Sequence, residues 1–76
     1  MAPKARSREH AALGAAVREI REERGLTQQQ LADKAKVAST FLSDIERGVR
    51  NPSWSTVLAI AKALRVKPSE LAARAE

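Results

Sequence analysis

The stretch LTQQQLADKAKVASTFLSDIERGVRNPS, Leu26 to Ser53, reads as two short amphipathic helices joined by a tight break. Thr27 is placed to cap the first, and Gln30, three residues later, completes a capping box. Leu31, Ala32 and Ala35 give that helix, about Gln28 to Ala35, its inner face. Lys36-Val37-Ala38 interrupts it. A second helix then runs from about Ser39 to Arg47, and Gly48 stops it before the loop Val49-Arg50-Asn51-Pro52.

Working outward, Leu13, Val17, Ile20 and Arg24 fall on one stripe at helical spacing, and Gly25 is placed to end that helix in a left-handed cap. It is expected from about Arg8 to Arg24. Downstream, Ser53 can cap a fourth helix in which Trp54, Val57, Ile60, Ala61 and Leu64 form the apolar stripe. Pro68 suits the first position of a fifth, with Ser69 and Glu70 in its first turn and Leu71 inward. No alternating strand pattern is present, and helix formers dominate. The expected architecture is all-α: a flexible basic arm at 1–8, then one five-helix domain at 9–76 whose two central helices span about 28–47.

Seventy-six residues support one domain. A chain this short buries only about 60% of its unfolded surface, so dimerisation is a natural supplement to its core. It has no Cys, and His10 is its single His, which excludes a disulfide framework and offers no clustered metal ligands. No apolar run reaches the length of a membrane span, and MAPKARSREH lacks the apolar segment of a signal peptide. A soluble cytoplasmic, nucleoid-associated protein is expected, too small for an added ligand-sensing or cleavage domain. No paired carboxylates, nucleophile–base set or phosphate loop appears, so no enzyme activity, cofactor, metal or small-molecule ligand is expected. The net charge is +5, and Lys4, Arg6 and Arg8 against Glu9 concentrate part of it at the start. That lead is either a solubilising tail or an arm laid on a DNA backbone or in a minor groove.

LTQQQLADKAKVASTFLSDIERGVRNPSWSTVLAIAKAL, Leu26 to Leu64, closely resembles the helix-turn-helix DNA-binding domain of the Cro and Xre type, shared by phage repressors and restriction-modification controller proteins. The similarity runs without a gap from about Val17 to Leu71. LTQQQLA opens the second helix, SDIERG closes the third, RNPS follows, and LAIAKAL lies in the fourth. The resemblance implies a five-helix, lambda-repressor-like fold that binds a near-palindromic operator as a homodimer. Its third helix would enter a major groove about 12 Å wide. Two positions depart from the pattern. Lys36 stands where the family prefers Gly, at a strain on the order of 1 kcal/mol if the backbone there is left-handed. Ala38 replaces the usual Ser or Thr cap, a loss of about 1 kcal/mol, and removes a hydroxyl that relatives can offer to DNA.

At about 100° per residue, Ala38, Leu42 and Ile45 share the core side of the third helix. Together with Leu31, Ala35 and Val37 they lock the second helix across it, and Ala32 lies at the crossing. Thr40, Ser43, Asp44 and Arg47 take the far side with Ser39 beside them, while Phe41 and Glu46 lie on the flanks. The resemblance pairs Glu46 with Arg21 in a partly buried salt bridge. Ser39 and Thr40 are the first side chains positioned to reach base edges. Asp44 either accepts a hydrogen bond from cytosine or sits solvated at the groove's rim. Phe41 either packs on the core flank or touches DNA, as an aromatic at this place does in controller proteins. Gln28, at the start of the second helix, and Ser43, Arg47, Arg50 and Asn51 are the expected phosphate contacts. Leu58, Val66 and Leu71, beside Ala72, Ala73 and Ala75, are the expected dimer seam, though for Leu71 the monomer core is the better reading. Asp33 lies near where acidic residues of the family touch RNA polymerase. Repressor, activator and antitoxin all fit. The alternative class is a protein-interaction module, an antitoxin or bridging factor, that uses the same fold with DNA secondary.

Overall fold

A computed structural model describes residues 2–75, with side chains from residue 10 onward. Its helices are α1 (Ala2–Glu23), α2 (Gln28–Ala35), α3 (Ser39–Glu46), α4 (Trp54–Leu64) and α5 (Pro68–Arg74), with no strand among the described residues. Local chemistry accounts for most of these boundaries. The Gln30 amide donates to Thr27 Oγ1 at 3.1 Å and the Thr27 amide to Gln30 Oε1 at 2.9 Å, which closes the expected capping box. Ser53 accepts from the Thr56 amide at 3.2 Å, and Pro68 opens α5. Ala38 caps α3 with no side-chain bond, as expected of a methyl group.

α1, α2, α3 and α4 end alike. Within two residues of each end the backbone turns left-handed, at Gly25 (φ 70°), Lys36 (φ 60°), Gly48 (φ 77°) and Arg65 (φ 62°). The next amide reaches back five residues: Leu26 to Arg21, Val37 to Ala32, Val49 to Asp44 and Val66 to Ala61, each at 3.0–3.1 Å. The strained backbone expected at Lys36 is present, and Arg65 adds a second case. Gly48 is needed for space as well as for its φ, because a Cβ there would sit 2.8 Å from Ala11 Cα.

Leu31, Ala32 and Leu42 are wholly buried, and Val17, Ile20, Ile45, Ile60, Leu64 and Leu71 complete the centre of the core. α2 packs across α3 and α4, while α1 packs against α3 and α5. α1 meets α3 at Gly14, where a Cβ would overlap the Ile45 carbonyl and lie 2.6 Å from Glu46 O. That contact brings the two backbones together and fixes the height of α3 on the bundle.

Four expectations need correction. α1 begins at Ala2, well ahead of Arg8, because Ala, Lys and Arg favour helix and Pro3 falls in the first turn, where it is tolerated. The side chains of Lys4, Arg6 and Arg8 lie outside the described set. Trp54, expected on the inner stripe of α4, is 65% exposed, since it opens the helix before the chain turns under the core. Leu71, expected at a dimer seam, is 1% exposed and belongs to the monomer's own core, where α5 folds back on α1 and α4. Ala38 faces solvent, and Val37 packs against the core in its place.

Candidate nucleic-acid interface

α3 is held by a buried charge pair at one flank. Arg21 Nε donates to Glu46 Oε2 at 2.8 Å and Nη2 to Oε1 at 3.2 Å, while Nη1 reaches the Leu26 carbonyl at 2.7 Å. The expected Arg21–Glu46 bridge is therefore present, with both residues 9% exposed. Gln28 joins it: its Nε2 donates to Glu46 Oε1 at 3.0 Å. The side chain expected at a phosphate is thus tied to the bridge, and the start of α2 presents its first backbone amides, which have no partner within the helix. One carboxylate so locks α1, α2 and α3 together.

The outward face of α3 carries the remaining candidates. Thr40 is exposed, and Ser39 and Ser43 are half-buried at the rim. Asp44 accepts a hydrogen bond from Arg47 Nη2, and its other oxygen lies 3.8 Å from Arg50 Nη2. Arg50 in turn places its guanidinium 5.1 Å from the centre of the Phe41 ring. Phe41 is half-buried and packed against the core, so it works as a platform for Arg50 from the core flank. Asp44 consequently gathers two arginines at the C-terminal end of α3. The i, i+3 spacing of Asp44 and Arg47 was a readable signal for half of this cluster. Arg50 and Phe41 meet through tertiary packing. Asn51 is exposed in the following loop.

Other charged side chains serve the scaffold. Arg24 Nε donates to the Leu64 carbonyl at 3.0 Å, capping the end of α4 from α1. Arg74 on α5 binds both Glu19 and Glu23 on α1. That hydrogen bond holds the Glu23 carboxyl below its ordinary value and raises Arg74. Asp33 is exposed and accepts from Gln29 Nε2 at 2.9 Å. Among the described residues, no group of three or more potential metal ligands occurs and no helix is long and apolar enough to cross a membrane. Of the expected seam, Leu58 is 39% exposed and Val66 is half-buried.

Comparison with known proteins agrees with this geometry. The helix-turn-helix family model matches residues 17–71. The immunity repressor protein of Bacillus phage phi105 is 48% identical over 59 residues, 78% of this chain and 41% of the repressor. The chain thus spans less than half of that relative. Control protein C.BamHI of Bacillus amyloliquefaciens is 42% identical over 59 residues, covering 76% of this chain and 73% of its own. The restriction-modification controller protein C.AhdI from Aeromonas hydrophila superposes with a TM-score of 0.80 at 35% identity, over 82% of this chain and 94% of its own. The clp gene regulator ClgR from Corynebacterium glutamicum gives 0.86 at 31% identity, over 88% and 71%. With the helix pair, the family model and these relatives in agreement, the chain belongs to the helix-turn-helix family of phage repressors and restriction-modification controller proteins.

Proposed function

We propose that the chain is a transcriptional regulator that binds double-stranded DNA sequence-specifically, with α3 in the major groove and two copies on a near-palindromic operator. The observation that carries this reading is the outward face of α3. Small hydroxyl side chains stand at its N-terminal end, the Asp44–Arg47–Arg50 cluster stands at its C-terminal end, and a buried bridge fixes the helix beneath them. Ser39, Thr40 and Asp44 are the base-reading candidates. Ser43, Arg47, Arg50, Asn51 and the first amides of α2 at Gln28 are the phosphate candidates. Leu58, exposed on α4, is the strongest candidate for the seam of a homodimer.

The test is a titration of operator fragments from DNA flanking the coding region at two salt concentrations. Several phosphate contacts per subunit predict a fall of about a thousandfold in affinity between about 50 and 200 mM salt. Leu58→Glu should leave a folded monomer in sedimentation that binds a half-site weakly. Absence of duplex binding would leave the fold to a protein-bridging role, and a Leu58→Glu protein that stays dimeric would move the seam elsewhere.

A further inference from the structure

The four left-handed helix ends divide into two kinds. Those of α1 and α3 carry Gly25 and Gly48, which take that conformation without strain, whereas those of α2 and α4 carry Lys36 and Arg65. Both cations line one hollow of about 460 Å³ between the C-terminal ends of α2 and α4, together with Lys34 and Lys62. All four side chains are exposed, and none has a carboxylate within 4 Å among the described residues. By contrast, Arg18, Arg21, Arg47, Arg50 and Arg74 each lie beside one. Lys34 and Lys62, in the last turns of their helices, are accounted for by the helix dipole. The dipole favours cations at the caps Lys36 and Arg65 as well, but glycine would close the same caps without the strain that these two retain. Strain retained at two positions that share one chemistry and line one hollow is characteristic of functional sites.

The hollow lies at the opposite ends of α2 and α4 from the phosphate candidates Gln28 and Asn51 of the proposed function, although Lys36 stands three residues before Ser39. α2 begins at Gln28 and α4 begins after Asn51 and Ser53, on the side of the phosphate candidates. The 8 residues of α2 and the 11 of α4 carry the cations about 12 and 16 Å from those ends. Ala35, Ala59 and Ala63 give the hollow an apolar floor, and Leu26 and Leu64 line an adjoining hollow of about 220 Å³. A convex duplex gains nothing from a recessed apolar floor. An amphipathic segment with carboxylates at its edges and apolar side chains at its centre meets both features.

We propose that the groove between the C-terminal ends of α2 and α4 is a docking site for an acidic, amphipathic segment of a partner protein. The placement relative to DNA rests on the proposed function, while the chemistry of the groove stands without it. The test is fluorescence anisotropy with a labelled helical peptide of repeating Glu-Glu-Leu-Leu and its Gln-for-Glu analogue, against the full chain at about 50 mM salt. The acidic peptide should bind the wild type and the analogue about tenfold more weakly. Lys36→Gly with Arg65→Gly, and separately Lys34→Gln with Lys62→Gln, should each weaken the acidic peptide about tenfold. Operator affinity should stay within about twofold in both variants, because neither pair touches the assigned phosphate contacts. The glycine pair relieves strain, so a thermal melt at or above that of the wild type separates lost binding from lost folding. Equal binding of the two peptides, or variants that bind as the wild type does, would overturn the site. Operator affinity falling in step with the charges would give the groove to phosphates, and a changed sedimentation coefficient would give it to a second copy. Either result ends the proposal. A wild type that binds the peptide and no duplex would sink the DNA reading alone.

Discussion

Consider Arg21→Ala. The guanidinium makes three hydrogen bonds, two to Glu46 and one to the Leu26 carbonyl. Its removal leaves the Glu46 carboxylate, with a side chain 2% exposed, holding on to Gln28 alone. A buried carboxylate stripped of its cation is destabilising by about 3–5 kcal/mol. A domain of 76 residues has roughly 4–11 kcal/mol in total, so the variant should lose a large share of its stability. At about 4–8 °C per kcal/mol, the midpoint should fall by about 12 °C or more.

Glu46→Ala should cost less, about 2 kcal/mol, because the charge left behind is better served. Arg21 keeps the Leu26 carbonyl at 2.7 Å, has Glu22 at 4.0 Å, and can lean toward solvent. The double variant removes both charges and should recover about 1–3 kcal/mol relative to the sum of the single losses. Urea unfolding followed by circular dichroism is the suitable assay, because the single Trp is 65% exposed and a poor reporter of core opening. Additive losses would refute the coupling. Equal losses in the two single variants would refute the argument from unequal burial.

Gly14→Ala should separate α1 from α3, since its Cβ would press on the Ile45 and Glu46 carbonyls; a loss of about 1–3 kcal/mol is expected, with operator affinity falling even at temperatures where the variant is fully folded. Lys36→Gly removes left-handed strain and should gain about 1 kcal/mol in denaturant unfolding; a loss would mean that the lysine side chain holds the turn. Glu23 is held below its ordinary 4.5 by the hydrogen bond from Arg74, so the unfolded chain binds the proton more readily, and the stabilisation is present above about pH 4.5 and lost as pH falls through the lower folded value. The protection of α5 amides, corrected for the intrinsic pH dependence of exchange, should fall as the solution is acidified across that window, and Arg74→Ala should remove that fall.

The helices and the family were legible because they rest on local chemistry: Thr27 with Gln30, Ser53, Pro68, the glycines, and apolar residues at helical spacing. The Arg21–Glu46 bridge was legible through the family pattern, as two matching positions 25 residues apart. What escaped depends on where the helices cross. Gly14 reads as a weak spot in a helix until α3 is laid against it. Trp54 satisfies the periodicity of α4 yet projects beyond the core, because periodicity fixes the face of a helix and says nothing of where the neighbouring helix ends. Leu71 fits both a seam and a core in one dimension, with the core the better reading, and the return of α5 onto α1 decides for the core. Nothing in the sequence around Arg65 signals a left-handed residue, and its place beside Lys36 emerges only when α2 and α4 are brought together.

The two carboxylates of α3 divide their work by burial. Glu46, with a side chain 2% exposed, receives two bonds from Arg21 and one from Gln28, and releasing any of them would leave a buried charge. Its arginine is fixed. Asp44 is 28% exposed, and its arginines are 63% and 55% exposed. Pairs of that kind contribute about 0.2–1 kcal/mol each, less than one good contact between an arginine and a phosphate or a base. In the proposed complex Arg47 and Arg50 can therefore be exchanged from Asp44 to DNA at small cost. Until then Asp44 and the Phe41 ring keep them near the helix, which lowers the rotamer entropy lost on binding. An acidic residue on a basic face is consistent with tight binding when the pair is weak enough to exchange, and Asp44 meets that condition where Glu46 does not. Asp44→Ala should accordingly weaken operator binding even though it raises the net charge of the face; affinity that rises with the added charge would show that Asp44 merely repels phosphates.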